Sequence, residues 1–356
     1  MKILIPIIGF DRTGGYRVLS ELANAWIRQG HEVAFLCIDS SDEPYFPTRA
    51  KIIRIDGDGL CSNTKVKQEK RSRWHYIKSL FLGLNLIGHQ YDVILANHSL
   101  TAWPVAFASC GVAKKMYYVQ AYEPGYYAGT RKLKGYLFAI GSALTYHLSL
   151  NKIVNSPIYF HYVNLRASVF VPPGIDLENF KPAIFTKDIE HANSIVIGCI
   201  GRNEPEKGTI YVLRAFEELY KNDKRFVLRI AAFGNLPEGW KHEQCEIVVP
   251  KNDNELADYY RSLDILVAPG TVQHGAPHYP VLEAGACGIP VVTTGYMGAT
   301  DETAWIVRNK DVETIVEAIV NIVTDEKQRI RKRAKFLNDI KSYSWDRVAT
   351  QMIMQF

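Results

Sequence analysis

Two cations stand five residues apart in "IGRNEPEKGTIYVL" (200–213). Arg202 follows a hydrophobic run that ends at Gly201, and Lys207–Gly208 precedes a segment patterned as a helix. In an open parallel sheet, ligands bind outside the carboxyl ends of the strands. A helix N-terminus presents free N–H groups and partial positive charge at such a place. Arg202 adds a planar fork that matches phosphate, and Lys207 adds a point charge. A diphosphate is the economical ligand for this loop. The same cations also read as partners of Glu204 and Glu206 in exposed ion pairs, which are common and worth little.

A second stretch, "PGTVQHGAPHYPVLEAGACGIPVVTTG" (269–295), repeats the arrangement. It reads as strand, loop, short helix and strand, with Pro280 as the first helical residue. The N–H groups near 279–282 suit a second face of a diphosphate. Glu283 is read in the first turn, where it either complements the helix dipole or accepts hydrogen bonds from both hydroxyls of a ribose. In the first half of the chain, Gln120, Tyr122 and Glu123 follow an apolar run at 115–119. Glu123 suits the orienting of an acceptor or sugar hydroxyl; the Glu123–Pro124 pair equally suits an ordinary turn. His98, at another strand end, reads as a ligand contact or as a structural histidine. Asp11, Arg12 and Thr13, in the first loop, are candidate acceptor contacts. The six cysteines have no metal-ligand spacing, and no metal is expected.

The elements that must carry these residues form two similar halves. "KILIPIIGF" is a continuous apolar strand of the kind parallel sheets bury on both faces. "DRTGG" is a loop, "YRVLSELANAWIRQG" an amphipathic helix and "EVAFLCI" the next strand, which completes a βαβ unit. The second half repeats the plan from "SIVIGCIG" (194–201) to the long helix "DVETIVEAIVNIVTD". Alternating strands and helices predict an α/β protein with a doubly wound parallel sheet in each half. Pro172, Pro173, Gly174 and Pro182 punctuate "VFVPPGIDLENFKP" (169–182), which reads as a linker. A cleft between two domains is the expected place for a ligand.

At 356 residues, 47% hydrophobic and 22% charged, the chain has material for two cores. A net charge of +5 is too weak to argue for nucleic acid. No signal peptide or spanning helix is legible, so a cytoplasmic place is expected. "KVKQEKRSRWHYIKSLFLGLNLIG" (65–88) begins basic and ends apolar. It reads either as a segment lying on an anionic membrane surface or as a solvated charge run before a core helix. "TRKLKGYLF" (130–138) is a similar cluster.

"GRNEPEKG" followed by "PVLEAGACGIPVV" resembles the C-terminal domain of the family-four, GT-B type glycosyltransferases. "DRTGGYRVLSELANAWIRQGHEV" and "VFVPPGIDLENFKP" resemble that family's first loop and helix and its linker, so the likeness runs from residue 2 to about 350. It implies a Rossmann-like acceptor domain (1–170), a linker (171–182), a nucleotide-sugar donor domain (183–335) and a C-terminal helix (336–356) crossing back to the first domain. It implies that Arg202 and Lys207 bind the donor diphosphate and that Glu283 binds the donor ribose. Tyr279, Pro280 (a neighbour without an N–H) and Val281 meet phosphate; Gly14, Gly15, Gly201 and Val249 complete the donor side. Gln120 and Glu123 would serve the reaction from the first domain, and His98 and Tyr122 the acceptor. Two positions depart from the family: Gly275 replaces a glutamate eight residues before Glu283, and Gln120 replaces a histidine. Both are similar to a branch with bacterial rhamnan-chain rhamnosyltransferases.

The resemblance thus implies transfer of a hexosyl or deoxyhexosyl group, rhamnosyl included, from a nucleoside-diphosphate sugar to a growing saccharide of a bacterial surface polysaccharide. It implies retention of configuration, a saccharide or lipid-linked saccharide acceptor, and a site on the inner face of the plasma membrane. The alternatives are a non-catalytic nucleotide-sugar-binding protein and a GT-B nucleotide-sugar epimerase.

Overall fold

The computed structural model describes residues 1–62, 72–129, 132–183, 189–232, 240–272 and 274–356. The chain folds as two units, Met1–Gly174 with Trp345–Phe356, and Ile175–Ser344.

In the first unit the chain runs β1 (Lys2–Pro6), α1 (Gly14–Arg28), β2 (Glu32–Ile38), β3 (Lys51–Ile55), β4 (Cys61–Ser62) and α2 (Arg73–Ile87). It continues through β5 (Val93–Ala96), α3 (Ser99–Phe107), β6 (Lys114–Val119), α4 (Glu123–Gly129), α5 (Leu133–Thr145), β7 (Asn151–Val154) and β8 (Val169–Phe170). The sheet order is β4-β3-β2-β1-β5-β6-β7-β8, parallel throughout except for the β3–β4 edge. β1 is central because Ile3, Leu4 and Ile5 have no exposed surface and need cover on both faces. Strand order reverses between β1 and β5, so the loops leaving their carboxyl ends diverge and open a crevice there.

The second unit contains β9 (Ile195–Gly201), α6 (Thr209–Asn222), β10 (Phe226–Ala232), β11 (Cys245–Val248), α7 (Asp253–Arg261) and β12 (Ile265–Ala268). α8 (Tyr279–Ala286), β13 (Val291–Thr293), β14 (Trp305–Ile306), α9 (Val312–Thr324) and α10 (Glu326–Asp339) follow. Its sheet, β11-β10-β9-β12-β13-β14, is parallel, and its order reverses between β9 and β12. α6 and α9 cover one face through Val212, Phe216, Ile315 and Ile319; Tyr260, Leu282 and Phe336 belong to the core of the other. Each unit is therefore the doubly wound parallel sheet that the alternation of elements predicts.

The stretch read as a linker is more ordered than its prolines suggest. Val169–Phe170 joins the first sheet as β8, while Phe180 is fully buried in the second unit with its ring 6.1 Å from Tyr260. Four of the six free cysteines are buried; Cys61 is exposed and Cys245 half-buried. Among the described residues no helix is long and apolar enough to cross a membrane.

The segment α11 (Trp345–Ile353) packs on α1 in the first unit. The indole of Trp26, without exposed surface, donates to the Ala349 carbonyl at 3.1 Å, and Arg28 pairs with Asp346 at 2.7 Å. Deleting 345–356 removes the buried side chains of Trp345, Val348 and Met352. At about 1.5–3 kcal/mol for each, the first unit should lose about 5 kcal/mol or more. Calorimetry should show its transition fall while that of the second unit stays; an unmoved first transition would contradict this packing.

Candidate functional site

The loops after β9 and β12 leave the sheet of the second unit on either side of its switch point. The first is short and braced. Arg202 donates its N–H to Thr209 Oγ1 at 3.0 Å, and a single 3₁₀ turn, Pro205–Lys207, leads to Gly208. Gly208 sits at φ 75°, and a Cβ there would strike the Pro269 carbonyl. That close approach, with the Thr271 N–H donating to Glu206 O at 2.8 Å, ties the two loops together.

The second loop is fixed in turn to the segment after β13. Thr294 Oγ1 donates to Gly270 O at 2.5 Å, Tyr296 OH to Val272 O at 2.9 Å and Gly275 N–H to Gly295 O at 2.7 Å. Gly275 has φ 85°, a left-handed backbone that glycine tolerates best. The departure from glutamate at this position therefore has a backbone correlate.

The loop delivers His278 to the N-cap of α8, its ring 4.5 Å from that of Tyr296. Its Nδ1 is out of solvent and has no hydrogen-bond partner. Burial first, then the charges of Lys207 and Arg202, push the imidazole down to about 3. Both cations thus act on the residue that opens α8, and the electropositive convergence is a property of this unit. His278 was not singled out in the sequence; the signal was its place just before Tyr279–Pro280 at a helix start.

The other expected donor residues are placed as follows. Arg202 is half-exposed and pairs with Glu204 at 3.3 Å, while Lys207 is exposed. The pairing expected as the alternative for Arg202 is thus present. α8 begins at Tyr279, so Pro280 is its second residue rather than its first, and Glu283 lies beyond the first turn, a correction to the dipole argument. Glu283 is 2% exposed and accepts from Tyr260 OH at 2.9 Å. A ribose hydroxyl bonded there would join an existing pair. The amides of Val281 and Leu282 already turn to His278 O, at 3.0 and 3.4 Å, so a phosphate would share them. Gly201 ends β9 beside Arg202. Val249 stands apart: it follows the edge strand β11, two strands from β9, and is exposed.

His278 makes the second unit sensitive to acid. Its folded-state pKa is depressed, so between about pH 6.5 and 3 the unfolded chain takes up a proton that the folded one refuses. Stability is present above that window and falls as the pH drops through it, by up to about 1.4 kcal/mol per pH unit. Urea unfolding at pH 7, 6 and 5 should show this slope reduced in His278→Asn. Equal slopes in the two proteins would mean that the folded imidazole is charged.

In the first unit, Glu123 is the hub. It opens α4 and accepts from the Ser99 N–H at 2.9 Å, from Ser99 Oγ at 2.5 Å and from Tyr117 OH at 3.4 Å. Its carboxylate therefore sits on the N-terminus of α3, where the dipole favours it. His98 caps α3 by accepting the Leu100 N–H on Nδ1 at 3.0 Å. The neutral ring then carries its proton on Nε2, 3.4 Å from Glu123 Oε2. Burial lowers the His98 pKa, Glu123 opposes this, and Arg73 lowers it further. Ser99 and Tyr117 are members of this cluster that sequence reasoning did not identify.

Gln120 Nε2 donates to Gly15 O at 3.3 Å, which brings Gln120 to the first loop as the two glycines enter α1. Asp11 Oδ1 accepts from the Thr13 N–H at 2.7 Å, and Arg12 stacks on the ring of Tyr45 at 4.7 Å. Gly14 is exposed at the helix start. Tyr122, expected to meet an acceptor, is set in an aromatic stack. Its ring lies 4.2 Å from Tyr162 and 6.0 Å from Tyr146, and its hydroxyl accepts from Asn164.

Residues 194–325 match the family model described as glycosyl transferases group 1. Over 176 residues the chain is 27% identical to a D-inositol 3-phosphate glycosyltransferase of Corynebacterium efficiens, spanning 44% of this chain and 41% of that protein. It is 27% identical over 188 residues to a UDP-Gal:alpha-D-GlcNAc-diphosphoundecaprenol alpha-1,3-galactosyltransferase of Escherichia coli, 47% of each chain. The matches thus span less than half the length of these relatives. The fold is shared over 99% of the chain with sucrose-phosphate synthase from Thermosynechococcus elongatus (98% of that chain, TM-score 0.72, 17% identity). It is shared to the same extent with Anabaena HepE in complex with UDP and glucose (98% of that chain, TM-score 0.70, 15% identity). Residues 194–325 are thus similar to glycosyl transferases group 1, and the chain as a whole has the GT-B fold.

Proposed function

We propose that the chain is a glycosyltransferase that moves a hexosyl or deoxyhexosyl group, rhamnosyl among them, from a nucleoside-diphosphate sugar to a growing saccharide of a bacterial surface polysaccharide. One observation carries the reading: the loop bearing Arg202 and Lys207 is held against the loop that leads to α8, by Thr271 N–H on Glu206 O and Gly208 on Pro269, within the stretch that matches the group 1 model. The diphosphate lies across that convergence. The departing nucleoside diphosphate gains negative charge in the transition state, and fixed donors stabilise it without reorganisation. The exposed Arg202–Glu204 pair is weak enough to exchange for phosphate. Glu283 and Tyr260 meet the ribose.

The reaction proceeds with retention on the front face, a donor phosphate oxygen taking the acceptor's proton. No side-chain nucleophile or metal ion is assigned. Glu123, Gln120, His98 and the first loop serve the acceptor, a saccharide or lipid-linked saccharide, in the cytoplasm at the inner face of the plasma membrane.

Thermal unfolding with a panel of nucleotides tests the donor half. The second unit's transition should rise with a nucleoside diphosphate more than with the matching monophosphate, since bound ligand stabilises by mass action. Equal shifts would remove the diphosphate reading. Stabilisation without turnover of any nucleotide sugar would favour the binding-protein alternative.

A further inference from the structure

α5 is packed inside out. Its inward positions are Gly135, Ser142 and Thr145, whereas Leu133, Leu137, Ile140 and Leu144 are 79%, 61%, 58% and 50% exposed. These four, with half-exposed Tyr136, recur at helical spacing and make one apolar stripe about 17 Å long. Scattered exposed leucines need no explanation, but a contiguous stripe on a small-residue helix marks a contact.

The surroundings say what the contact is with. At the amino end of α5 lies a cavity of about 600 Å³ lined by Arg73, Lys132, Lys134, Tyr127 and Phe138. The Arg73 guanidinium lies 3.9 Å from the Phe138 ring and 5.2 Å from that of Tyr127, which fixes its direction. Trp74 and Tyr126 stand exposed on the neighbouring helices α2 and α4. No acidic residue occurs between Glu123 and Asp176, nor between Glu69 and Asp92. Glu123, at the edge of the region, is engaged by Ser99. Cations, interfacial aromatics and an apolar stripe together complement an anionic lipid surface.

We propose that the first unit seats on an anionic phospholipid bilayer through the outer face of α5, with a lipid phosphate in the Arg73–Lys132–Lys134 cavity. Of the two basic clusters that read either as membrane-surface segments or as solvated charge runs, 65–88 and 130–138, residues 65–71, 130 and 131 lie outside the described residues. The surface assigned is α5 itself. Its case rests on the first unit alone and holds whether or not sugar transfer is the reaction.

Vesicle flotation at low salt tests it. The wild type should float with vesicles of phosphatidylglycerol mixed into phosphatidylcholine, and not with phosphatidylcholine alone. Leu137→Glu with Ile140→Glu, both at exposed positions, should cut the bound fraction at least tenfold. Lys132→Ser and Lys134→Ser should each weaken binding about fivefold and flatten its salt dependence. Unchanged thermal transitions of both units check that the variants are folded. The proposal is overturned if the double glutamate protein floats like the wild type, or if neutral vesicles bind equally well. It is also overturned if the wild type binds no vesicles, and a dimer lost in the glutamate variant would then assign the stripe to a second copy.

Discussion

Arg202→Ala should lower the rate of sugar transfer about 10²–10³-fold while leaving the protein as stable as before. The rate effect follows from what the guanidinium faces. Charge builds on the leaving diphosphate only as the glycosidic bond breaks, so a fixed donor there acts on the barrier more than on binding. The loss should therefore appear mainly in kcat. Stability should hold because the native partner of Arg202 is Glu204, in a pair with both side chains substantially exposed, and such pairs contribute little. The loop itself is held by the Arg202 backbone, through Thr209, which alanine keeps. Arg202→Lys should restore only part of the rate, since an ammonium lacks the fork. Transfer at the wild-type rate by Arg202→Ala would sink the proposed donor site.

Gly208→Ala should have the largest effect on folding. Two costs coincide at this residue. A left-handed backbone costs an L-residue roughly 1–2 kcal/mol, and a methyl driven against the Pro269 carbonyl adds about 1–3 kcal/mol of overpacking. Together they should destabilise the second unit by about 2–5 kcal/mol and lower its melting temperature by roughly 5–15 °C. The clash is with backbone, so no rotamer change relieves it. The strain falls between the two loops that bring the cations to His278, so affinity for a nucleoside diphosphate should fall with stability. A Gly208→Ala protein that melts and binds like the wild type would show that the two loops are not in contact there.

The fold was legible because parallel strands buried on both faces are written as unbroken apolar runs. "KILIP" and "IVIGCIG" announce themselves, and the amphipathic helices between them follow by period. Short elements left no such mark: two-residue strands such as Val169–Phe170 are defined by pairing, which no local pattern encodes. Arg202 and Lys207 could be read because charge at a strand end is unusual. His278 could not, because its character comes from cations 71 and 76 positions away in sequence. α5 misleads in the opposite sense. Leucines at helical spacing ordinarily mark a buried face, yet this helix turns its glycine, serine and threonine inward, where small side chains allow close packing on α3 and α4. The stack of Tyr122 with Tyr146 and Tyr162 is set by residues 24 and 40 positions away, which no local pattern reveals.

The placing of α11 on α1 has a consequence for how the protein is made. The second unit is a continuous stretch, Ile175–Ser344, interrupting a first unit whose pieces come from either side of it. As the chain emerges from the ribosome, β1 to β8 appear first, but Trp26 stays uncovered until 345–356 have been synthesised. Ile175–Ser344 is entire before then. The part translated later is therefore the first able to reach its finished state, and the earlier half waits with an open apolar groove, the moment at which a chaperone has most to grip.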